Sequence, residues 1–245
     1  SELIQIPAQV IQKLILKTIF AASTQETRYV LNGLSWGFLK KGIEVVATDG
    51  RRLAVASYDN VKSTREFKIV IPSKILHEVT RFIGIEKPEA GELMTVGVSS
   101  NQVGFRMGST TFISKLIDGN FPNYEQVIPS KKDMSFTVSC KDLMEITKRA
   151  ALCVNDRGGV VKYALKNGMM MVSAASQKME MNDEMSIDYK GHELQISFNP
   201  AYIVDILKNM PSDKAVFSLT NPLNPVLVEP AGDSSCKYVV MPVKS

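Results

Sequence analysis

The chain has 245 residues, 44% of them apolar and 22% charged, with a net charge of +4. This length accommodates two ordinary domains, the composition is that of a globular protein, and so mild a positive charge permits an anionic partner without demanding one. Three widely spaced cysteines, Cys140, Cys153 and Cys236, argue against a disulfide framework and for a reducing compartment; no secretory leader opens the sequence, no apolar run approaches the roughly 18 residues of a membrane span, and 7% aromatics are few for a protein that grips single strands by stacking.

Taken in order, the pattern predicts a strand at 3–6 and a helix at 8–22. On that helix Val10, Ile11, Leu14, Ile15 and Ile19 share one side, with Gln9, Lys13 and Lys17 opposite and Leu16 out of pattern. Strands follow at 28–34, 43–48 and 52–58, the last two joined by an Asp49-Gly50 hairpin turn. A strand at 66–71 feeds a helix at 73–83, and strands recur at 93–99, 102–107 and 110–115. The stretch from Pro122 to Asp133, with Pro129 and two lysines, has the composition of a surface connection.

The order then repeats: strand 135–139, helix 141–154, strands 160–166, 169–174 and 184–189, strand 193–198, helix 200–209, and strands 214–219, 225–229 and 237–241. Each half is therefore β-α-β-β-β used twice. Runs of strands with few helices predict an α+β fold of two domains, 1–130 and 131–245, with helices on one face of antiparallel sheets. The final run, apolar from Tyr238 to Val240 and ending in Met241-Pro242-Val243, puts apolar residues where a chain is normally polar, which suggests a docking surface rather than a core strand.

Catalytic patterns are missing from the sequence. His77 and His192 are its only histidines, and neither sits in a known nucleophile spacing. No Cys-x-x-Cys or His-x-x-x-His pattern suggests a metal, and no Gly-x-x-x-x-Gly-Lys loop is present. The expectation is a non-catalytic protein with no cofactor and no metal. The alternative is a phosphate-binding enzyme acting on a nucleotide or sugar phosphate through the Thr48-Asp49-Gly50-Arg51 turn; a third reading is an interaction protein with no nucleic-acid role.

Four segments, Arg28-Tyr29-Val30-Leu31-Asn32-Gly33, Ala47-Thr48-Asp49-Gly50-Arg51-Arg52-Leu53-Ala54-Val55, Ser114-Lys115-Leu116-Ile117-Asp118-Gly119-Asn120-Phe121-Pro122-Asn123-Tyr124 and Tyr238-Val239-Val240-Met241-Pro242, stand in an order that resembles the bacterial DNA polymerase III β subunit, the replicative sliding clamp. The resemblance covers essentially the whole chain but only the second and third of the family's three domains. Since Ser1 is not Met, a cut or processed chain is expected. It implies two clamp-type domains, each with antiparallel sheets outside and two helices on the inner face of a ring. It also implies a cytoplasmic, nucleoid-associated processivity factor that encircles double-stranded DNA without sequence preference.

By the same resemblance, the DNA-facing residues are Lys13, Lys17, Gln25, Arg28, Tyr29, Lys74, Arg81, Lys141, Lys148, Arg149 and Lys208, although a solvated helix face gives the same basic pattern. Phosphate contacts carry no sequence information, which suits a protein that slides. A peptide pocket for the polymerase III catalytic subunit, the clamp loader, other polymerases and repair proteins is implied at Leu31, Thr48, Gly50, Arg51, Arg52, Leu53, Pro122 and Val127, joined by Asn199, Tyr202, Leu223, Pro225, Val239, Val240, Met241, Pro242 and Val243. Taken alone, Leu31, Leu53, Val127 and Val239 also read as core, and Leu223 with Pro225 as a turn. A head-to-tail dimer surface in the full-length parent is implied at Leu152, Cys153, Glu180, Asp183 and Glu184, which also read as a helix end and a charge-guarded edge strand; the present chain is expected to be mostly monomeric. Gln126, Gly158 and Ser245 depart from the family's usual arginine, aromatic and leucine.

Overall fold

The computed structural model describes residues 2–154 and 159–244. The chain divides into two compact units, Ser1–Asn123 and Tyr124–Ser245. The division falls inside the expected connection but ahead of the 130/131 boundary. Tyr124 is buried, and a 3-10 turn at Glu125–Val127 follows it, the Val127 N–H donating to the Tyr124 carbonyl at 3.1 Å.

The first unit runs β1 (Glu2–Pro7), α1 (Ala8–Leu16), β2 (Gly33–Leu39), β3 (Gly42–Thr48), β4 (Arg52–Asp59), β5 (Phe67–Pro72), α2 (Ser73–Glu86), β6 (Leu93–Val98), β7 (Gln102–Met107) and β8 (Thr110–Lys115). Its strands pair antiparallel in the orders β1-β6-β7-β8 and β5-β2-β3-β4. The second unit repeats the plan: β9 (Met134–Ser139), α3 (Cys140–Ala151), β10 (Val161–Lys166), β11 (Met169–Ala175), β12 (Glu180–Ser186), β13 (Leu194–Phe198), α4 (Pro200–Lys208), β14 (Lys214–Leu219), β15 (Val226–Pro230) and β16 (Cys236–Val240). Here the antiparallel orders are β12-β11-β10-β13 and β9-β14-β15-β16. The twofold use of β-α-β-β-β in each half is thus present in both units.

Within each unit the two helices lie side by side against the sheets. α1 meets α2, where the Gln12 amide donates to the Thr80 carbonyl at 3.1 Å, and α3 meets α4. The buried stripes are Ile11, Leu14 and Ile15 on α1, Leu76, Val79 and Ile83 on α2, Leu143, Ile146 and Ala150 on α3, and Ile203, Ile206 and Leu207 on α4. Each such aliphatic side chain larger than alanine contributes about 1.5–3 kcal/mol on leaving water. Helix starts are chemically marked: the Ser139 hydroxyl accepts from the Asp142 N–H, and Asn199 Oδ1 accepts from the Ala201 N–H with Pro200 at the first helical position. α2 stops where Lys87 turns left-handed (φ 49°) ahead of Pro88.

Besides α2 running to Glu86 rather than 83 and α3 ending at Ala151 rather than near 154, four elements differ from expectation. The first helix ends at Leu16 rather than near 22: the buried Thr18 leaves helical geometry (φ −128°), its hydroxyl donates to the Leu14 carbonyl at 2.7 Å, and a short 3-10 turn at Ile19–Ala21 follows. The strand expected at 28–34 is a kinked 3-10 segment, Glu26–Asn32, and the strand begins at Gly33. Gly33 has no room for a side chain, since a Cβ there would come 2.7 Å from the Ile71 carbonyl oxygen. The strand expected at 184–189 lies at Glu180–Ser186, because its pairing with Met169–Ala175 fixes the register. The last strand stops at Val240; Tyr238, Val239 and Val240 are buried core residues, so the docking reading of the tail applies only beyond them.

Candidate functional sites

The Asp-Gly turn of the first unit is tightly self-satisfied. Asp49 Oδ1 accepts from the Arg51 N–H at 2.9 Å and the Arg52 N–H at 3.0 Å, and Asp49 Oδ2 lies 3.1 Å from Arg52 Nε. The Thr48 hydroxyl donates to the Arg52 carbonyl at 2.6 Å and accepts from the Gly50 N–H. The Arg52 guanidinium also sits 5.6 Å from the centre of the Phe20 ring. Its side chain is only 11% exposed, so Arg52 braces the turn more than it offers a rim. Arg51 is exposed.

This arrangement counts against the phosphate-binding alternative. The two backbone N–H groups that would cradle a phosphate already donate to the Asp49 carboxylate.

Arg28 has a role that the sequence did not disclose. Its Nη1 donates to the Asp49 carbonyl at 3.1 Å, tying the 3-10 segment Glu26–Asn32 to the turn. Gly50 holds φ 86°, and a Cβ there would come 2.7 Å from Arg28 Nη1. The Ser23 N–H donates to the Leu31 carbonyl at 2.8 Å, and the reoriented Asn32 amide donates to the Ser23 and Gln25 carbonyls. Gln25 and Tyr29 are left exposed on this braced loop.

Of the remaining expected pocket residues in the first unit, Leu31 is half-buried, Leu53 is buried in β4 and Pro122 is exposed. In the second unit Val127 and Leu223 are exposed, while Asn199 caps α4 and Tyr202 lies on its first turns, half-buried. Leu223 belongs to a turn in which Asn221 Oδ1 accepts from the Leu223 and Asn224 N–H groups, and Pro225 is half-buried at its end. Val239 and Val240 are buried in β16 and, with Leu53, can only shape a docking surface from beneath. Met241 and Val243 are 38% and 39% exposed. Pro242 between them is half-buried, and the Val243 N–H donates to the Ser197 carbonyl at 2.8 Å, which holds the tail in place.

The basic helix residues are exposed: Lys13 on α1, Lys74 and Arg81 on α2, Lys141, Lys148 and Arg149 on α3, and Lys208 on α4; Lys17, just past α1, is half-buried. Two are already paired. Arg81 Nη2 lies 2.5 Å from Glu78, and Arg149 Nη2 lies 2.5 Å from Asp183 on β12. Among the described residues no ion pair holds Lys13, Lys74, Lys141, Lys148 or Lys208.

On the expected dimer surface, Leu152 is exposed at the end of α3 and Cys153 is half-buried, while β12 is the free edge of its sheet and carries exposed Glu180 and Glu184. Asp183 points to the other side of β12, toward Arg149, whose hydrogen bond holds the Asp183 carboxyl below its ordinary range. Gly158 and Ser245, two of the departures from the family pattern, lie outside the described residues. Among the described residues no cluster could hold a metal ion, and no helix is long and apolar enough to cross a membrane.

Two units, each with paired helices against two antiparallel four-stranded sheets, define a chain of clamp-type domains. The family model for the DNA polymerase III beta subunit central domain matches residues 5–123, and that for its C-terminal domain matches residues 125–244. The chain belongs to this family, the β sliding clamps of bacteria. The beta sliding clamp of Proteus mirabilis is 31% identical over 241 residues, 98% of this chain and 65% of the relative; that of Escherichia coli K12 is also 31% identical, with 64% of its length covered. The crystal structure of DNA polymerase III subunit beta from Pseudomonas aeruginosa superposes with a TM-score of 0.94 at 30% identity, covering 100% of this chain and 67% of that one. Another structure of a sliding clamp from that species is bound to griselimycin. The chain thus spans about 65% of the length of the curated relatives it matches.

Proposed function

We propose that this chain is the part of a replicative sliding clamp that carries partner docking and much of the DNA-facing wall. The observation that carries this reading is the match of both units, in order, to the central and C-terminal domains of the β subunit. In this reading the protein catalyses nothing: it encircles duplex DNA and tethers the polymerase III catalytic subunit, the clamp loader, other polymerases and repair proteins.

Peptide segments of these partners are assigned to the Asp-Gly turn with Leu31 and Pro122, and to the exposed residues Met241, Val243 and Leu223 with the half-buried Pro242. A methionine with small apolar neighbours suits Leu and Phe side chains from many partners, because the thioether is adaptable. Phosphate contacts are assigned to the unpaired lysines Lys13, Lys74, Lys141, Lys148 and Lys208, with Gln25 and Tyr29 nearby in function. In the full-length parent, Leu152, Cys153 and the β12 edge would close a head-to-tail dimer; alone, this chain is expected to run as a monomer in light scattering.

The test is binding of a fluorescent Gln-Leu-x-Leu-Phe peptide. Met241→Asp, or deletion of residues 241–245, should abolish binding while leaving the melting temperature nearly unchanged, since the buried strand ends at Val240. Unchanged affinity in either variant would overturn the assignment.

A further inference from the structure

The β1-β6-β7-β8 sheet of the first unit carries none of the residues assigned to peptide, DNA or dimer contacts. Ile4, Val96, Val103 and Phe105 point into the core, so Leu3, Gly97, Gly104 and Ile113 point outward. The register sets these four in one row: Leu3 stands opposite Gly97, Gly97 opposite Gly104, and Gly104 opposite Ile113. Two adjacent interior strands therefore carry glycine at the same level, between apolar side chains that are 76% and 66% exposed.

Glycine weakens a strand interior, and where it stands there it marks a bulge, a tight bend or the close approach of another group. The pairing runs unbroken through both glycines and neither has a positive φ, so no bulge or special backbone angle accounts for them. A Cβ on Gly104 would meet only the Phe112 carbonyl, at an ordinary 3.7 Å. Leu3 leans over Gly97, its Cδ2 3.3 Å from the place a Cβ would take. The row is thus a shallow slot with a floor of bare backbone and Leu3 as one wall. Its flanking Cα atoms, three strand spacings apart, stand roughly 14 Å from each other. Such a floor matches a planar ring, the group that covers exposed glycines in designed sheets.

The charges on this face specify which partner fits. Arg106 and Lys115 are the charged side chains that the four strands point outward; both are exposed, and neither takes part in an ion pair among the described residues. Arg106 lies two residues along β7 from Gly104, and Lys115 two residues along β8 from Ile113 in the opposite direction, so the cations flank the row on either side. The carboxylates at the margin lie off the face. Glu2 points to the other side of β1 and pairs with Arg65 at 3.2 Å. Glu92, ahead of β6, accepts from the Glu89 N–H at 3.2 Å, and Asp118 follows Ile117, whose N–H has crossed to the Val70 carbonyl of β5. The field over the slot is positive. Two cations are few for a nucleic acid, whose grip rests on many phosphate contacts, but they suffice for two carboxylates on a peptide.

We infer that this slot docks a short peptide in which an aromatic residue is flanked on both sides by aspartate or glutamate. The ring lies flat on Gly97 and Gly104 against Leu3, one carboxylate meets Arg106, and another meets Lys115. This site goes beyond the clamp reading and does not depend on it.

The experiment uses the whole chain labelled with ¹³C and ¹⁵N at glycine. It is titrated with the peptide acetyl-Asp-Glu-Trp-Glu-Asp-amide, and in parallel with one analogue carrying Leu in place of Trp and another carrying Lys in place of every acid. The α-proton signals of Gly97 and Gly104 should move upfield with the first peptide, as a stacked ring requires, while those of Gly50 stay fixed. Each analogue should bind at least tenfold more weakly. Gly104→Val fills the slot and should abolish binding with the melting temperature held or raised, because the site has room for a Cβ and β-branched residues suit strands. Arg106→Gln, at an exposed position, should weaken binding at least tenfold. The proposal is overturned if the Gly97 and Gly104 signals stay fixed at millimolar peptide, if Gly104→Val binds as well as the parent chain, or if the lysine analogue binds equally. It is also overturned if a short oligothymidylate moves those signals at lower concentration than the peptide, or if they shift with protein concentration alone, which would make a nucleic acid or a second copy of the chain the occupant. Failure here would leave the Gln-Leu-x-Leu-Phe result untouched, because that test reads variants at residues 241–245.

Discussion

Asp49 is the residue on which the first unit's turn depends. One carboxylate accepts from two backbone N–H groups and pairs with Arg52, and Arg28 anchors the carbonyl of the same residue. Asp49→Ala would strand those N–H groups and loosen Arg52. The expected loss is about 1–3 kcal/mol in chemical unfolding, with weaker peptide binding as the turn relaxes. Gly50→Ala should cost a similar amount, about 1–3 kcal/mol, because a left-handed φ and contact with Arg28 Nη1 both oppose a Cβ. If Arg28 is the obstacle, Arg28→Ala should recover part of the Gly50→Ala loss in a double-mutant cycle.

At the scale of elements, most strands were legible because alternation and turn residues announce them. Val45 to Ser57, around the Asp-Gly turn, falls within 43–48 and 52–58 almost as expected. The misread segments have specific causes. The stretch 28–32 looks like a strand by its β-type residues, yet it is held by Asn32, Ser23 and Arg28 contacts that no periodicity encodes. Thr18 bonds back to the Leu14 carbonyl through its hydroxyl where α1 ends, a local side-chain-to-backbone contact hidden inside an amphipathic pattern. At the candidate sites, residue types pointed to the turn and the tail, but the bracing by Arg28 and the burial of Val239 and Val240 needed coordinates.

Two predictions belong to α3 and β12. Ser139→Ala removes the hydroxyl that caps α3 and should cost about 1 kcal/mol. The Asp183 carboxyl is held low by Arg149 and by the Glu184 N–H. Because its folded pKa lies below its unfolded one, the pair's contribution is present at neutral pH and is lost as pH falls through the folded value. A ¹³C carboxyl titration should place the Asp183 midpoint below the ordinary value of about 3.9, and Arg149→Ala should return it toward that value. An unmoved midpoint in the variant would mean that the pair does not form in solution.

For the whole molecule, all three thiols lie in the second unit and are unequally buried. Burial, with Asp213 adding to it, pushes the Cys140 thiol up to about 11, and Cys236 is also buried. Cys153 is half-exposed. At neutral pH a thiol reagent should modify Cys153 first, and the other two only on unfolding, as mass spectrometry of quenched samples would reveal. DNA binding should be independent of sequence and steeply dependent on salt. If the five unpaired lysines each meet a phosphate, affinity should fall by roughly two to three orders of magnitude between 50 and 200 mM salt. A strong preference among unrelated duplexes would count against the assignment of the wall.

The self-occupied Asp49 turn also bears on life inside a crowded cell. Nucleoside triphosphates and other polyphosphates are abundant there, and an open Gly-Arg-Arg bend would collect them. With its own carboxylate already seated on those amides, the bend has no free pair of N–H groups to cradle them. In the proposed docking role, backbone capture of a polyphosphate would therefore not compete with a partner's peptide at this turn.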